Sequence, residues 1–205
     1  MMNRGNFVME ILDEVIPNPV CELRYSKDYE LLIAVMLSAQ CTDKRVNMVT
    51  GVLFDRYRSL EDFDRADTSD IEEIIRPCGS YRKKSLYIKD IARKLVESGG
   101  MRPDRELLES LSGIGRKSCN VVLGEIYGVP AMPVDTHIER VSKRLGLCDE
   151  GDCVQVVERK LMGIFPRDKW IRVHKQLVLF GRYHCKSVKP ECEGCRFRDM
   201  CIKWR

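Results

Sequence analysis

The sequence lacks any apolar stretch long enough to span a bilayer, and residues 1–7 lack the basic and apolar regions of a secretory signal. These two absences favour a cytoplasmic protein without a membrane partner. Net charge is only +4, so the overall charge does not by itself indicate nucleic acid. At 205 residues, 44% apolar and 32% charged, the chain can form one large or two small globular domains with a real core.

No segment shows the sustained apolar–polar alternation that is typical of a β-strand. Apolar residues recur at helical spacing instead, as in the stripes Ile88, Ile91, Leu95 and Ile138, Val141, Leu145. The segment from Asp28 to Gln40 runs apolar on every side after a charged start, which is typical of a helix buried in a core. The pattern predicts an all-α fold of many short helices with short connections.

Capping and terminating residues predict several helix ends. Asp43 can cap the helix that follows it, and Ser69 opens a segment with capping-box spacing. A helix is expected over Arg116 to Tyr127, and a last one over residues 168–180 before Gly181.

Two proline-bearing stretches, residues 17–25 and 128–133, are the candidate domain boundaries. If both are real, residues 22–130 form a continuous domain. Residues 1–21 and 131–205 would then join both ends of the chain in a second domain.

Ten cysteines need an explanation in a reducing compartment, where disulfides are unfavourable. Most of the six scattered ones are expected to be small buried apolar residues: Cys21, Cys41, Cys78, Cys119, Cys148 and Cys153. The other four have the spacing C-x6-C-x2-C-x5-C: Cys185, Cys192, Cys195 and Cys201. Four thiols this close in sequence indicate a metal site.

The spacing of these four cysteines favours a [4Fe–4S] cluster over zinc. Structural four-cysteine zinc sites usually consist of two short C-x2–4-C pairs, and only one short pair exists here. Residues 182–205 also hold seven Lys or Arg against three Asp or Glu. The metal could therefore fold a basic loop for phosphate contact, although such a charge run is more often a solvated face.

Gly113-Ile114-Gly115 lies between two helical segments. Glycines permit a tight turn with positive φ and a close approach of another backbone. The helix that begins near Arg116 can offer its free N–H groups to a phosphate. An ordinary helix–helix turn is the alternative interpretation.

Lys117 falls in the first turn of that helix, and Asp135 follows it by eighteen residues. The helix dipole disfavours a cation at Lys117, so a neutral amine able to form a Schiff base is a reasonable function; phosphate binding is the alternative. Asp135 can cap the next helix, handle the proton of Lys117, or do both. His137 could be a phosphate partner or a structural hydrogen-bond partner.

Four motifs in order carry a resemblance over nearly the whole chain: Leu37 to Asp43 (LSAQCTD), Leu111 to Lys117 (LSGIGRK), Pro133 to His137 (PVDTH) and the four-cysteine spacing. Together they resemble the endonuclease III family of base-excision DNA glycosylases. The resemblance implies a helical barrel domain (22–130) with a helix-hairpin-helix, and a [4Fe–4S] domain (1–21 and 131–205) held by Cys185, Cys192, Cys195 and Cys201.

The same resemblance implies a bifunctional DNA glycosylase and abasic-site lyase. Lys117 would attack C1′ of a flipped-out damaged nucleotide and form a Schiff base that undergoes β-elimination, and Asp135 would assist. Gln40 matches the family residue that fills the vacated space in the duplex. The expected DNA-binding residues are Gln40, Gly113, Ile114, Gly115, Arg116 and His137. The partner would be double-stranded DNA with damaged bases or abasic sites, bound by a monomer on the nucleoid, and oxidised pyrimidines are the family default.

Two positions depart from the family pattern. The usual proline of the hairpin is Ser112 here. Where the family often has a bulky apolar wedge after Gly79, this chain has Ser80, so Tyr81 or a neighbour would have to substitute.

The sequence disfavours two other functions. A monofunctional mismatch glycosylase lacks the lysine and needs a catalytic glutamate where this chain has Ala34. A non-catalytic iron–sulfur module that only grips DNA would not need both Lys117 and Asp135.

Overall fold

The structure, a computed structural model, describes residues 4–204. Every regular element in that range is helical, which confirms the all-α prediction. The α-helices are α1 Arg4–Val15, α2 Asp28–Leu37, α3 Asp43–Arg56, α4 Leu60–Arg65, α5 Thr68–Ile75, α6 Tyr81–Glu97, α7 Arg105–Ser110, α8 Arg116–Tyr127, α9 Thr136–Arg144, α10 Val154–Ile164 and α11 Trp170–Tyr183. Short 3-10 helices lie at Arg76–Cys78, Arg167–Lys169, Arg198–Met200 and Ile202–Trp204. No helix within these residues has both the length and the apolar composition needed to cross a membrane.

The described chain divides into two compact units. Cys21–Val129 form the central unit, which contains α2 to α8. Residues 4–20 and 130–204 form the terminal unit, which contains α1 and α9 to α11.

The core of the central unit is built around α2, which is buried at every position from Tyr29 to Leu37. This confirms that its all-round apolar character places it in a core. Helices α3, α6 and α8 pack against α2, while α6 also covers α4 and α5. Helix α8, which carries Lys117, therefore packs directly against the buried helix α2.

The core of the terminal unit lies between α1, α9, α10 and α11. Gly181 lies inside α11 against α9, where an added Cβ would stand 2.9 Å from Cβ of His137. The expected helix end at Gly181 is wrong, because this glycine serves helix packing and α11 continues to Tyr183.

Two predicted caps are also wrong. Thr42, not Asp43, caps α3: its backbone is extended and its hydroxyl accepts from the Arg45 N–H. The residue before α5 is Asp67, and Ser69 lies inside the first turn. In each case the chain turns into the helix one or two residues earlier than the strongest local capping signal.

The capping box of this region belongs to α4, a helix that the sequence pattern did not reveal. Ser59 accepts from the Asp62 N–H at 3.1 Å, and the Asp62 carboxylate accepts from the Ser59 N–H at 3.0 Å. At six residues, α4 is too short to show a periodic apolar stripe, so its caps are its clearest sequence signal.

Candidate functional site

The turn between α7 and α8 is closed by its apolar residues. Leu111 and Ile114 are buried in the central core, and the Ile114 N–H donates to the Leu111 carbonyl at 3.1 Å. Because the side chain of Ile114 points inward, any contact of this residue with DNA must come from its backbone. Arg116, which begins α8, is exposed.

The two glycines of the turn have different roles. Gly113 has φ of +80°, and a Cβ there would lie 2.6 Å from Cδ2 of Tyr87 and 3.0 Å from Cγ of Met36. Gly115 has φ of −99°, and a Cβ there would meet nothing within 4 Å. Only Gly113 satisfies the expectation of a positive φ. Gly115 instead leaves open space above the start of α8.

Asp90 on α6 binds the backbone of the hairpin. Its Oδ2 accepts from the Ser112 N–H at 3.2 Å and pairs with Lys94 at 3.1 Å, and Lys94 also donates to the Ser110 carbonyl at 2.8 Å. A proline at position 112 would have no N–H to donate. The departure at Ser112 therefore adds a tertiary hydrogen bond that the usual residue cannot make.

Lys117 is the second residue of α8 and its side chain is exposed. Gly115, the N-cap, offers no side-chain hydrogen bond to the first turn. The start of α8 is open on the side of Gly115, where a Cβ would meet nothing within 4 Å, and the first N–H groups of a helix can bind an anion. Lys117 thus lies in the first turn of α8, beside the open start of this helix.

Asp135 in the terminal unit is the N-cap of α9, as predicted. Its Oδ1 accepts both the His137 N–H at 2.9 Å and the Ile138 N–H at 2.8 Å. Val134 before it is buried, so the carboxylate is held by a core residue on one side and by the helix on the other. The cap uses only Oδ1 and fixes the direction of Oδ2.

His137, the second residue of α9, has its ring beside the guanidinium of Arg140, with Nδ1 and Nη2 separated by 3.3 Å. Arg140 in turn donates to the carbonyls of Gly181 and Cys185. His137 therefore takes part in the packing of α9 on α11, which supports the structural alternative.

Gln40 and Ser80 both lie in exposed turns of the central unit with left-handed backbones, at φ of 56° and 46°. Gln40 is outside α2, which ends at Leu37, so the expectation of a helix through Gln40 is wrong. Tyr81 begins α6 half-buried, with the guanidinium of Arg82 5.2 Å from its ring centroid.

The four C-terminal cysteines line one cavity in the terminal unit: Cys185, Cys192, Cys195 and Cys201. Arg144 donates to Sγ of Cys185 at 3.3 Å and to the Lys186 carbonyl at 2.7 Å. Phe197 between the ligand positions is buried and packs edge-on against Phe180 at 5.1 Å. The loop is thus folded around the thiols by an arginine and an aromatic pair.

The donor set of this cavity fits an iron–sulfur cluster. Burial raises the pKa of the Cys195 thiol, and the other three thiols raise it further against an opposing backbone hydrogen bond from Phe197. Thiolates crowded together in this way need a cationic centre to stabilise them. Among residues 4–204, no three His, Cys, Asp or Glu side chains are arranged to hold a single metal ion.

The basic residues near these cysteines have acidic neighbours. Lys186 pairs with Glu191 at 2.7 Å, and Arg196 pairs with Glu14 of α1 at 2.6 Å.

Of the six scattered cysteines, Cys153 is exposed at the N-cap of α10, so it is not a buried apolar residue.

The sequence pattern did not reveal two residues of α6, Lys84 and Asp90. Lys84 is 6% exposed and lies on the same side of α6 as the buried Ile88 and Ile91. The sequence signal for it was a charged residue at a position where the helical spacing predicts a core residue. Asp90 had no comparable signal, because its partner Ser112 lies far along the chain.

Comparisons with known proteins identify the family of this chain. The family described as HhH-GPD superfamily base excision DNA repair protein matches residues 33–167. Endonuclease III of Bacillus subtilis (strain 168) is 43% identical over 197 residues, covering 95% of this chain and 90% of the relative. Endonuclease III of Escherichia coli (strain K12) is 38% identical over 196 residues, with 95% and 92% covered.

Solved structures give the same result. A trapped endonuclease III–DNA covalent intermediate superposes with a TM-score of 0.93 at 41% identity, covering 100% of this chain and 98% of that one. A thermostable thymine-DNA glycosylase, 22% identical with a TM-score of 0.85, shares the fold. The chain belongs to the endonuclease III family of the HhH-GPD superfamily.

Proposed function

We propose that this protein is a base-excision-repair DNA glycosylase with abasic-site lyase activity, in which Lys117 is the nucleophile. The observation that carries the proposal is an exposed lysine in the first turn of α8, two residues after the open Gly115. Its relatives are endonuclease III enzymes over nearly their full length, and one similar structure is a covalent intermediate with DNA.

The hairpin would hold the DNA backbone. A phosphate oxygen can approach the first N–H groups of α8 because Gly115 carries no side chain and provides no cap. The helix dipole adds a favourable interaction with the negative charge. Contacts of this kind position a strand without reading its sequence.

The neutral amine of Lys117 would attack C1′ of an extruded nucleotide. A bond from Nζ to C1′ forms as the N-glycosidic bond breaks, and the base leaves with the bonding electrons and takes up a proton. Ring opening then yields a Schiff base. Loss of a C2′ proton breaks the bond from C3′ to the 3′ phosphate oxygen, and water releases the lysine.

Asp135 would act as the acid–base and electrostatic partner of this reaction. Its Oδ1 is committed to two N–H groups of α9, so Oδ2 is presented in one direction. An anion there can accept the proton of the attacking amine or stabilise positive charge that develops on the sugar.

Gln40 would fill the space left by the extruded nucleotide, and the exposed turn that carries it supports this role. Extrusion costs least when the base is damaged and poorly stacked. We propose oxidised pyrimidines in double-stranded DNA as substrates, with His137 near the phosphates and a monomeric protein bound to the nucleoid in the cytoplasm.

Cys185, Cys192, Cys195 and Cys201 would hold a [4Fe–4S] cluster. The cluster, when bound, supplies a structural cross-link between chain segments around the cavity. Arg144 and Phe197 position this loop from the protein side.

Borohydride trapping on abasic-site DNA tests the mechanism. Wild-type protein should give a reduced covalent complex, and Lys117→Ala should give none. Lys117→Arg is the matched control: it keeps a cation for phosphate binding but cannot form the Schiff base. An undiminished complex from either variant, or none from wild type, would reject Lys117 as the nucleophile.

The position of Ala34 argues against the mismatch glycosylase. Ala34 is fully buried inside α2, and its side chain offers no carboxylate to a substrate at that position. A purely DNA-gripping module would bind abasic-site DNA equally well with Lys117→Arg, but would never be trapped on it.

A further inference from the structure

Lys84 is a buried lysine that the proposed chemistry does not use. Only 6% of the residue is exposed, and it lies on the core-facing side of α6 with Ile88 and Ile91. Its amine donates to the carbonyls of Leu37 at 2.9 Å, Ala39 at 2.8 Å and Cys78 at 2.9 Å. An ammonium group has three donors, and all three are used.

The three carbonyls belong to the ends of two different elements. Leu37 is the last residue of α2, with Ala39 just beyond it, and Cys78 is the last residue of a 3-10 helix. Carbonyls at such ends carry partial negative charge and lack helical partners. The amine of Lys84 thus stabilises the C-terminal ends of two helical elements at once.

Each of these ends leads directly into a strained, exposed turn. Gln40 follows Ala39 with φ of 56°, and Ser80 follows Gly79 with φ of 46°. A left-handed backbone is unfavourable for residues other than glycine and persists only where surrounding contacts impose it. One amine contacts both segments. The carbonyl oxygens of Ala39 and Cys78 are therefore separated by no more than the combined length of the two hydrogen bonds to Lys84.

The thiol of Cys78 is not an anion that could compete for the amine of Lys84. The Cys78 and Cys41 side chains contact each other, and burial, followed by Cys41, raises the pKa of Cys78 to about 12. The Cys78 thiol is therefore neutral at physiological pH. The charge of Lys84 is stabilised by the backbone carbonyls themselves, so removing the amine leaves buried acceptors unsatisfied.

We propose that Lys84 is a positioning residue that holds the Gln40 and Ser80 turns side by side as one two-pronged element that enters the DNA duplex beside the extruded nucleotide. This inference rests on the proposed function. It gives the small side chain of Ser80 a place in the mechanism: the second prong is defined by its backbone position rather than by a bulky apolar group.

The test compares Lys84→Met with Lys89→Met. Lys89 lies on the same helix and also donates to two carbonyls, of Asp64 at 2.7 Å and Ala66 at 2.6 Å, but these lie at the C-terminal end of α4, away from the Gln40 and Ser80 turns in sequence. Both variants lose the same kind of interaction, a hydrogen bond from a lysine amine to a backbone carbonyl. Only Lys84→Met should disturb the two-pronged element.

Borohydride trapping is measured for each variant on the same abasic site in a duplex and in a single strand. A single strand has no base stack to open, so it reports Lys117 chemistry alone. Lys84→Met should trap the single strand within about twofold of wild type but the duplex about tenfold more slowly. A 2-aminopurine placed next to the abasic site in the duplex should show less unstacking. Lys89→Met should keep the wild-type ratio of duplex to single strand.

The outcomes separate the two proposals. Wild-type protein that traps neither DNA overturns the proposed function, and this inference with it. Normal single-strand trapping with an unchanged duplex ratio for Lys84→Met overturns the inference alone, as does an equal change for Lys89→Met. If Lys84→Met does not fold, Lys84→Gln keeps two N–H donors and should show the same duplex-specific loss to a smaller extent.

Discussion

Asp90 accepts a hydrogen bond from the backbone N–H of Ser112 at 3.2 Å, which fastens the hairpin to α6. The same carboxylate pairs with Lys94, whose amine reaches the carbonyl at the end of α7. A short polar network therefore fixes the turn that leads into α8 and Lys117. The hairpin is therefore held by a contact from α6 as well as by its own buried residues.

Removing the Asp90 carboxylate should loosen the hairpin. Asp90→Ala leaves the Ser112 N–H without its partner, and we expect a loss of about 1–3 kcal/mol in the free energy of unfolding. Burial opposes ionisation, but hydrogen bonds from Ser112 and Lys94 outweigh it and lower the pKa of Asp90. Because the folded pKa lies below the unfolded value of about 3.9, this stabilisation is present above that pH and lost below it.

Thermal unfolding of wild type and Asp90→Ala between pH 6 and pH 3 measures this effect, and the difference in Tm should shrink as the pH falls. Asp55→Ala, on the exposed side of α3, is the control and should change little. A difference that stays constant or grows in acid would contradict the assignment.

The two hairpin glycines should respond differently to alanine. Gly113→Ala meets both a positive φ and the Tyr87 ring, so it should cost about 1–3 kcal/mol in stability. Gly115→Ala should fold normally, since nothing lies near its Cβ. It should nevertheless weaken binding of an abasic-site duplex by about tenfold, because the methyl group keeps a phosphate from the N–H groups.

Chemical denaturation and fluorescence anisotropy measure the two quantities. The contrast is internal, because the variants differ by one methyl group at positions two residues apart. Unchanged DNA affinity in Gly115→Ala would show that the space above α8 is not used by a phosphate.

The two roles of Asp135 can be separated by Asn and Ala. Asparagine is as good an N-cap as aspartate, so Asp135→Asn should keep the wild-type Tm, whereas Asp135→Ala should lose about 1 kcal/mol. Both should lower single-turnover base excision by about a hundredfold or more, since both remove the charge. Full activity in Asp135→Asn would restrict this residue to capping.

Purified protein should be yellow-brown with broad absorbance near ~400 nm, as expected for a cysteine-ligated iron–sulfur cluster. Cys192→Ser should lose this absorbance together with iron and sulfide. Cys153→Ser, at an exposed cap away from the cavity, should keep it. Colourless protein with one zinc per chain would reverse the assignment.

Prediction from sequence succeeded where the signal is local. Helix α8 has the expected bounds, α2 is buried along its length, and Asp135 caps α9. It failed where two candidate caps compete or where a glycine serves packing, as at Asp43 and Gly181. In those cases packing against neighbouring helices decides the outcome, and a single sequence does not show which helices will be neighbours.

What the sequence determined by itself is the set of elements and their chemical groups: helices from apolar spacing, a turn from Gly113, and a four-thiol loop from cysteine spacing. Tertiary structure alone decided which groups meet. Lys84 reaches carbonyls 47 and 45 residues away, and Ser112 reaches Asp90 across 22 residues. Helix periodicity depends on residues a few positions apart, whereas these contacts depend on how buried helices pack. The positions of the Gln40 turn and the hairpin therefore follow from packing.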